Sequence, residues 1–157
     1  MREAAPGAVI LGPAEGRLVD LGGFTMTVKA SQERTDGAFA LLEASEPAGF
    51  GPPMHIHRDA AEAFYVLDGE YIVFIEERAT PCPAGSFIFI PAGTPHGFRV
   101  GDRPSRKLNL YVPAAMVGYF DAVADASREG PIAPDALSEI AHRYAMDVIG
   151  PVPEGYL

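Results

Sequence analysis

Two histidines one residue apart, His55 and His57, followed by Glu62 and then by His96, constrain this chain more than any other feature. The sequence holds 4 histidines in 157 residues, and three of them fall in this stretch. Alternate residues of a β-strand project from one face, so an extended Met54-His-Ile-His57 offers both imidazoles to the same side. Glu62 follows shortly after, and His96 arrives on a later strand. Neutral imidazoles with one carboxylate make a donor set for a first-row divalent metal. A closed structural zinc site more often includes cysteine, and the lone Cys82 lies outside the group.

The residues around these four repeat a wider pattern. Gly49, His55, His57, Glu62 and Gly69 fill every fixed position of the form G-x5-H-x-H-x4-E-x6-G. Gly85, Pro91, Gly93 and His96 fill a second form, G-x5-P-x-G-x2-H-x3-N, in which Val100 stands where the final Asn is expected. The stretch resembles the two signature motifs of the cupin superfamily. That resemblance implies an all-β fold, a small antiparallel jelly-roll barrel, with His55, His57, Glu62 and His96 as metal ligands. The implied cofactor is one divalent transition metal per chain (Fe, Ni, Mn, Co, Cu or Zn). The Val100 departure touches no ligand. Without a metal, three buried histidines would need every polar partner satisfied from within the protein.

The chain in order fits a barrel (residues 1–113) with a short helical C-terminal appendage (114–157) in one domain. Met1 to Pro13 reads as a flexible start with an edge strand at Val9-Ile-Leu11, and Leu18 to Ala30 as strand material. Phe39 to Ala44 is the next strand, in which Glu43 either reaches the interior or, the preferred reading, stays outside. Asp68-Gly69 between two apolar runs, Phe64–Leu67 and Tyr71–Ile75, predicts a β-hairpin. Glu76 to Pro83 reads as a looser turn carrying an inert Cys82, and Phe87-Ile-Phe-Ile90 as a buried strand. Arg99 to Arg106 reads as a charged loop. Lys107 to Val112 follows as a strand whose apolar set is Leu108, Leu110 and Val112.

After Pro113 the period turns helical. Met116, Tyr119, Phe120 and Val123 form one stripe, and Leu137, Ile140, Ala141 and Tyr144 form a second. The second helix opens at Pro134-Asp135 and is expected to run to Gly150-Pro151, with His142 on its surface. Both helices are expected to pack on the barrel, and the first either fills core or also roofs the mouth.

Composition narrows the partners. A net charge of −9 and a pI near 4.8 repel nucleic acid and anionic membrane surfaces. No N-terminal segment joins basic residues to a long apolar run, and one cysteine permits no internal disulfide, so a cytoplasmic setting is expected. Small cupins commonly pair barrels through edge strands, which implies a homodimer, with Val9–Leu11 as the expected contact.

Strand alternation gives the ligands apolar company. Phe98 and Val100 share a face with His96, and Phe64 and Val66 share one with Glu62. These four are the expected substrate pocket, suited to a flat aromatic or polyketide-like molecule with oxygens that reach the metal. Three imidazoles and a carboxylate leave one or two positions on a five- or six-coordinate ion. Glu62 is also the expected catalytic base, with Glu43 its one rival.

Beyond the motifs, three stretches are similar to quercetin dioxygenase-like single-domain cupins: Gly37-Ala-Phe39 to Glu43, the run from Glu62 to Glu70, and Pro113-Ala114 with Ala141–Tyr144 and Gly150-Pro151. The resemblance implies a metal-dependent dioxygenase on a flavonol-like substrate, with the ligand glutamate as base. The alternatives are a non-redox metallocupin such as a polyketide cyclase or isomerase, and a small-molecule-binding cupin without turnover. Fold alone does not choose between them.

Overall fold

The computed structural model describes residues 7–153. Strands β1 (Arg17–Asp20), β2 (Thr25–Ala30), β3 (Ala40–Glu46), β4 (Met54–His57), β5 (Ala61–Asp68) and β6 (Glu70–Ile75) open the chain. They continue as β7 (Arg78–Pro83), β8 (Phe87–Ile90), β9 (His96–Val100) and β10 (Ser105–Val112). A 3-10 turn at Ala114–Met116 leads into helices α1 (Val117–Ser127) and α2 (Pro134–Arg143), and β11 (Met146–Gly150) closes the described chain.

The strands form two antiparallel sheets, ordered β1-β2-β3-β10-β5-β8 and β11-β4-β9-β6-β7. Their inner faces meet in an apolar cluster that joins Phe64, Val66 and Ile90 of the first sheet to Tyr71, Phe98 and Val100 of the second. Full burial of each such side chain contributes about 1.5–3 kcal/mol. The helices cover the opposite end, where Val117 and Phe120 pack with Met26, Leu42 and Tyr111. This is the jelly-roll architecture that the motifs imply. Among the described residues, no helix is long and apolar enough to cross a membrane.

Several expectations give way. Val9–Leu11 forms no strand, and Ile10 is exposed; part of the expected flexible start lies outside the described residues. Leu18–Ala30 is strand material as expected, divided into β1 and β2, which pair as a hairpin. Asp68-Gly69 does not close a hairpin: β5 pairs with β10 and β8, whereas β6 pairs with β7 and β9. The chain changes sheets there, with Gly69 at φ +82° and so close to Ser105 that a Cβ would collide with its hydroxyl.

Glu76–Pro83 is a tight hairpin end followed by β7, on which Cys82 points into the core, its thiol pushed up in pKa by burial. In β8 only Ile88 and Ile90 face inward. Phe87 and Phe89 stand exposed on the outer side of an edge strand. The second helix stops at Arg143, where Ala145 takes a positive φ of 57° and redirects the chain into β11. The segment expected to be purely helical thus adds a strand to the sheet.

Strand β10 is inverted relative to its apolar pattern. Ser105, Lys107, Asn109 and Tyr111 are buried, while Leu108 and Leu110 are only half-buried and Val112 is exposed. A one-residue phase error moves every side chain to the other face, and a polar-lined interior defeats the rule that inward means apolar.

Candidate metal centre

The fold gathers the four candidate ligands from both sheets. His55 and His57 come from β4, His96 from β9, and Glu62 from β5 across the barrel. His55 and His96 are register partners. The turn before β9 is tied to the ligand strand by Gly93 N–H, which donates to the His57 carbonyl at 2.8 Å, with Gly93 at φ +82°. On its other edge β4 is braced by β11, where Met146 lies opposite His57 and Val148 opposite His55. Arg58 secures that brace by donating to the His142 carbonyl and pairing with Asp147. His142 itself is exposed and outside the cluster.

All four ligands are buried, and one donor atom from each lies within 4.8 Å of the others. Nδ1 of His55 contacts the Pro53 carbonyl at 2.8 Å, and Nδ1 of His96 contacts the Thr94 carbonyl at 2.8 Å. A carbonyl can only accept, so both Nδ1 atoms carry protons and both Nε2 atoms of the neutral rings are bare. Nε2 of His57 and of His96 each stand 2.9 Å from Glu62 Oε2. His57 can meet that oxygen as a neutral Nε2–H donor, which leaves its buried Nδ1 without a protein partner.

His96 cannot do so while neutral, because two lone pairs would face each other at hydrogen-bond distance. The contact needs one more positive charge, a proton or a metal ion. Burial opposes a charged His96, but the Glu62 carboxylate outweighs it and raises the pKa. Burial likewise opposes an ionised Glu62, yet hydrogen bonds and charge from His57 and His96 hold it well below the usual carboxylate range. Burial, aided by His96, pushes His55 down to about 4, so it stays neutral. Bare imidazole nitrogens converging on an ionised carboxylate fit a divalent first-row metal.

The cluster opens onto a cavity of about 640 Å³, with His55, His57 and Glu62 on its wall. Apolar side chains dominate the rest, notably Phe24, Phe50, Phe64 and Phe98, and α1 roofs it with Tyr119, Phe120 and Val123. The helix therefore both fills core and lines the cavity. Of the expected pocket residues, Phe64 and Phe98 are on the wall, whereas Val66 and Val100 lie beyond it in the sealed cluster. Alternation gives a residue's face but not its depth, and two residues further along a strand is about 7 Å deeper.

Sequence reasoning missed a second polar group. Glu43 faces outward, 2.8 Å from Arg106 Nη1, so the expected rival base is not in the cavity. The inward carboxylate is Glu46, at the end of the same strand and in phase with Ala40, Leu42 and Ala44. Its Oε1 accepts from Tyr71 Oη at 3.0 Å and pairs with Lys107 Nζ at 2.9 Å. Lys107 also donates to Asn109 Oδ1 at 2.8 Å and sits 4.4 Å from the Phe98 ring centre and 4.8 Å from that of Phe64. Tyr111, opposite Glu62 in the register, packs edge-on to His57 with ring centres 5.7 Å apart. Burial and the Glu62 charge hold its phenol well above the ordinary range, so it stays protonated. The register of β10 against β5 sets their phase, and no local spacing in the sequence carries it.

Comparison with known proteins agrees with this architecture. The cupin domain family matches residues 41–111, a span that holds all four candidate ligands. Over 136 residues, 85% of this chain, the sequence is 28% identical to quercetin 2,3-dioxygenase of Bacillus subtilis, and the match covers 40% of that protein. The chain thus spans well under two thirds of that relative. Among solved structures, KdgF from a Halomonas species superposes with a TM-score of 0.61 at 18% identity, covering 68% of this chain and 94% of that one. The DMSP lyase DddQ from Ruegeria pomeroyi superposes with a TM-score of 0.50 at 28% identity, covering 57% of this chain and 46% of that one. Residues 41–111 therefore carry a cupin domain, set in a fold shared with these solved structures.

Proposed function

We propose that the chain is a metal-dependent dioxygenase acting on an aromatic, polyhydroxylated substrate of flavonol type. The observation that carries this reading is that three of the four candidate ligands open onto one cavity of about 640 Å³ walled by aromatic side chains. Its size suits a small planar ligand, and its few polar groups converge on the ligand cluster. The likeness to quercetin 2,3-dioxygenase supports the same substrate class.

His55, His57, Glu62 and His96 would hold the metal, which supplies Lewis acidity and a binding position for oxygen donors. Phe50, Phe64 and Phe98 would give the ring an apolar wall to rest on, and Phe120 with Tyr119 would help to exclude water. Glu62 is the catalytic base, taking the proton of the substrate hydroxyl on a carboxylate oxygen. The pull of His57 and His96 keeps it ionised, the form from which a base must start. A homodimer belongs to the same proposal, with the uncovered edge at β8 and its exposed Phe87 and Phe89 in place of Val9–Leu11. The mass in solution by light scattering checks it. A reducing, cytoplasmic setting would keep Cys82 a thiol.

The test is oxygen uptake by metal-loaded protein supplied with a flavonol. Consumption of dioxygen with loss of the flavonol chromophore is the expected result, and product formation under anaerobic conditions would refute the dioxygenase. That second outcome would instead support a non-redox metallocupin, a cyclase, isomerase or lyase, a reading favoured by the likeness to DMSP lyase DddQ. Tight binding with no product in either atmosphere would leave a binding protein.

A further inference from the structure

The inward face of β10 is polar along most of its length, with Ser105, Lys107, Asn109 and Tyr111 as its buried residues. The last three touch in turn. Lys107 Nζ donates to Asn109 Oδ1 at 2.8 Å, and Asn109 Nδ2 donates to Tyr111 Oη at 3.4 Å. Tyr111 stands opposite Glu62 in the register, and its hydroxyl hydrogen-bonds the Glu62 carboxylate. A line of polar side chains thus joins the buried Lys107–Glu46 pair to a ligand of the metal cluster.

The chemistry of each group gives this line one direction. An ammonium has only donors, so the amide atom it meets is the Asn109 carbonyl oxygen. That choice turns the amide nitrogen toward Tyr111, and a nitrogen that can only donate makes the phenol oxygen an acceptor. A phenol carries one proton, and here Asn109 leaves it free. An ionised carboxylate can only accept, so the proton is given to Glu62. Lys107 sets the sense of the whole line and is itself fixed. It pairs with Glu46 at 2.9 Å and lies against the rings of Phe64 and Phe98. Bonds with a charged member are the stronger ones, and successive bonds polarise one another.

Glu62 is the ligand with most need of such a hold. The three histidines come from one sheet, whereas Glu62 reaches them from the other. Its Oε2 alone meets both His57 and His96 at 2.9 Å, so a small rotation of the carboxylate would lose both contacts. Tyr111 packs edge-on to His57 from the strand next to β5, which places its hydroxyl beside the carboxylate without filling a ligand position.

We infer that Tyr111 is a positioning residue for the metal centre: its hydroxyl, aimed by Lys107 through Asn109, holds the Glu62 carboxylate turned toward the imidazoles. The inference rests on the ligand cluster and is independent of the substrate and of the reaction. Partners that touch a ligand rather than the metal typically contribute roughly 10–100-fold in metal affinity.

Titration of chelator-treated protein with Co²⁺ tests this, read both as affinity and as the visible absorption of the bound ion. Tyr111→Phe keeps the ring against His57 and removes only the hydroxyl. Its Co²⁺ affinity should fall by roughly 10–100-fold, with a shifted visible spectrum because the carboxylate is no longer held. Asn109→Leu leaves the phenol in place without its aim, and should weaken binding in the same direction. Added to Tyr111→Phe, it should cost nothing more, since the two changes act through one hydrogen bond. A mere packing role for Tyr111 predicts wild-type affinity and spectrum in Tyr111→Phe, and that result refutes the inference whether or not Asn109→Leu folds. Losses that add in the double variant refute the aiming by Lys107 and Asn109. Wild-type protein that binds no Co²⁺ overturns the ligand assignment and the inference together, whereas an unchanged Tyr111→Phe removes the inference alone.

Discussion

The barrel holds two buried polar clusters, and they solve the same electrostatic problem in opposite ways. Around Glu46 the cation is built in: Lys107 neutralises the carboxylate, Tyr71 donates to the same oxygen, and Asn109 and two further aromatic rings surround the ammonium. Around Glu62 the protein supplies only neutral or conditionally charged imidazoles, and the anion is left to recruit a cation from outside. A buried ion pair complete in itself does not need to exchange anything with solvent, whereas an anion ringed by bare nitrogens is a receptor. The contrast separates structure from function more clearly than burial does, since both clusters are equally hidden.

The largest effect should come from removing a ligand. His57→Ala takes one of three nitrogens from the cluster and leaves Glu62 with a single imidazole. Loss of an outer partner alone costs roughly 10–100-fold in metal affinity, so loss of a ligand should exceed that. Elemental analysis of protein purified without chelator reads it. Equal metal in variant and wild type would erase the distinction between the two clusters.

Next comes the double role of Glu62. In Glu62→Gln reconstituted with excess metal, turnover should fall by on the order of a hundredfold to ten-thousandfold if the carboxylate also moves the proton. If activity merely tracks metal content, Glu62 is a ligand and nothing more. The same measurement on Glu46→Gln should show a far smaller change in rate, because Glu46 is paired with Lys107 and is not one of the four grouped ligands.

On the other side of the comparison, Lys107→Met should destabilise the fold by about 3–5 kcal/mol, the usual consequence of leaving one partner of a buried pair uncompensated. Urea unfolding of the metal-loaded protein measures it. Pairing Lys107→Met with Glu46→Leu should recover most of the loss, since replacing both charges by apolar groups of similar volume is often neutral. A cost below about 1 kcal/mol for the single variant would mean that solvent already reaches the pair.

The same contrast explains what could be read from the chain. His55, His57, Glu62 and His96 were legible because ligand geometry fixes their spacing, and the glycines and prolines that shape the turns fall at set intervals around them. The Glu46 cluster was not, because no spacing rule ties a Lys on one strand to a Glu on another. Its strand also misleads: Leu108, Leu110 and Val112 look like the core set, yet they face outward while Lys107 and Asn109 face in. Asp68-Gly69 shows a second limit. The dipeptide marks a turn correctly, but turn chemistry is local and says nothing of which sheet the next strand joins. Strand β11 shows a third, since its pairing with the ligand strand depends on contacts remote in sequence.

The smallest effect expected is also the sharpest control. Glu43 and Glu46 lie three residues apart on one strand, and the odd spacing sends them to opposite faces. Glu43 meets Arg106 at 2.8 Å, with side-chain exposures of 23% and 48%, so solvent screens the pair. Such pairs are worth about 0–1 kcal/mol, and Glu43→Gln should change stability by no more than that. Neither metal content nor turnover should move, because the barrel wall separates this carboxylate from the cavity. The variant discriminates between carboxylates by the face they occupy rather than by their position in the chain. If Glu43→Gln abolished turnover while metal-replete Glu62→Gln kept it, the inward–outward phase of β3 would be wrong. Glu46 would then leave the cavity wall.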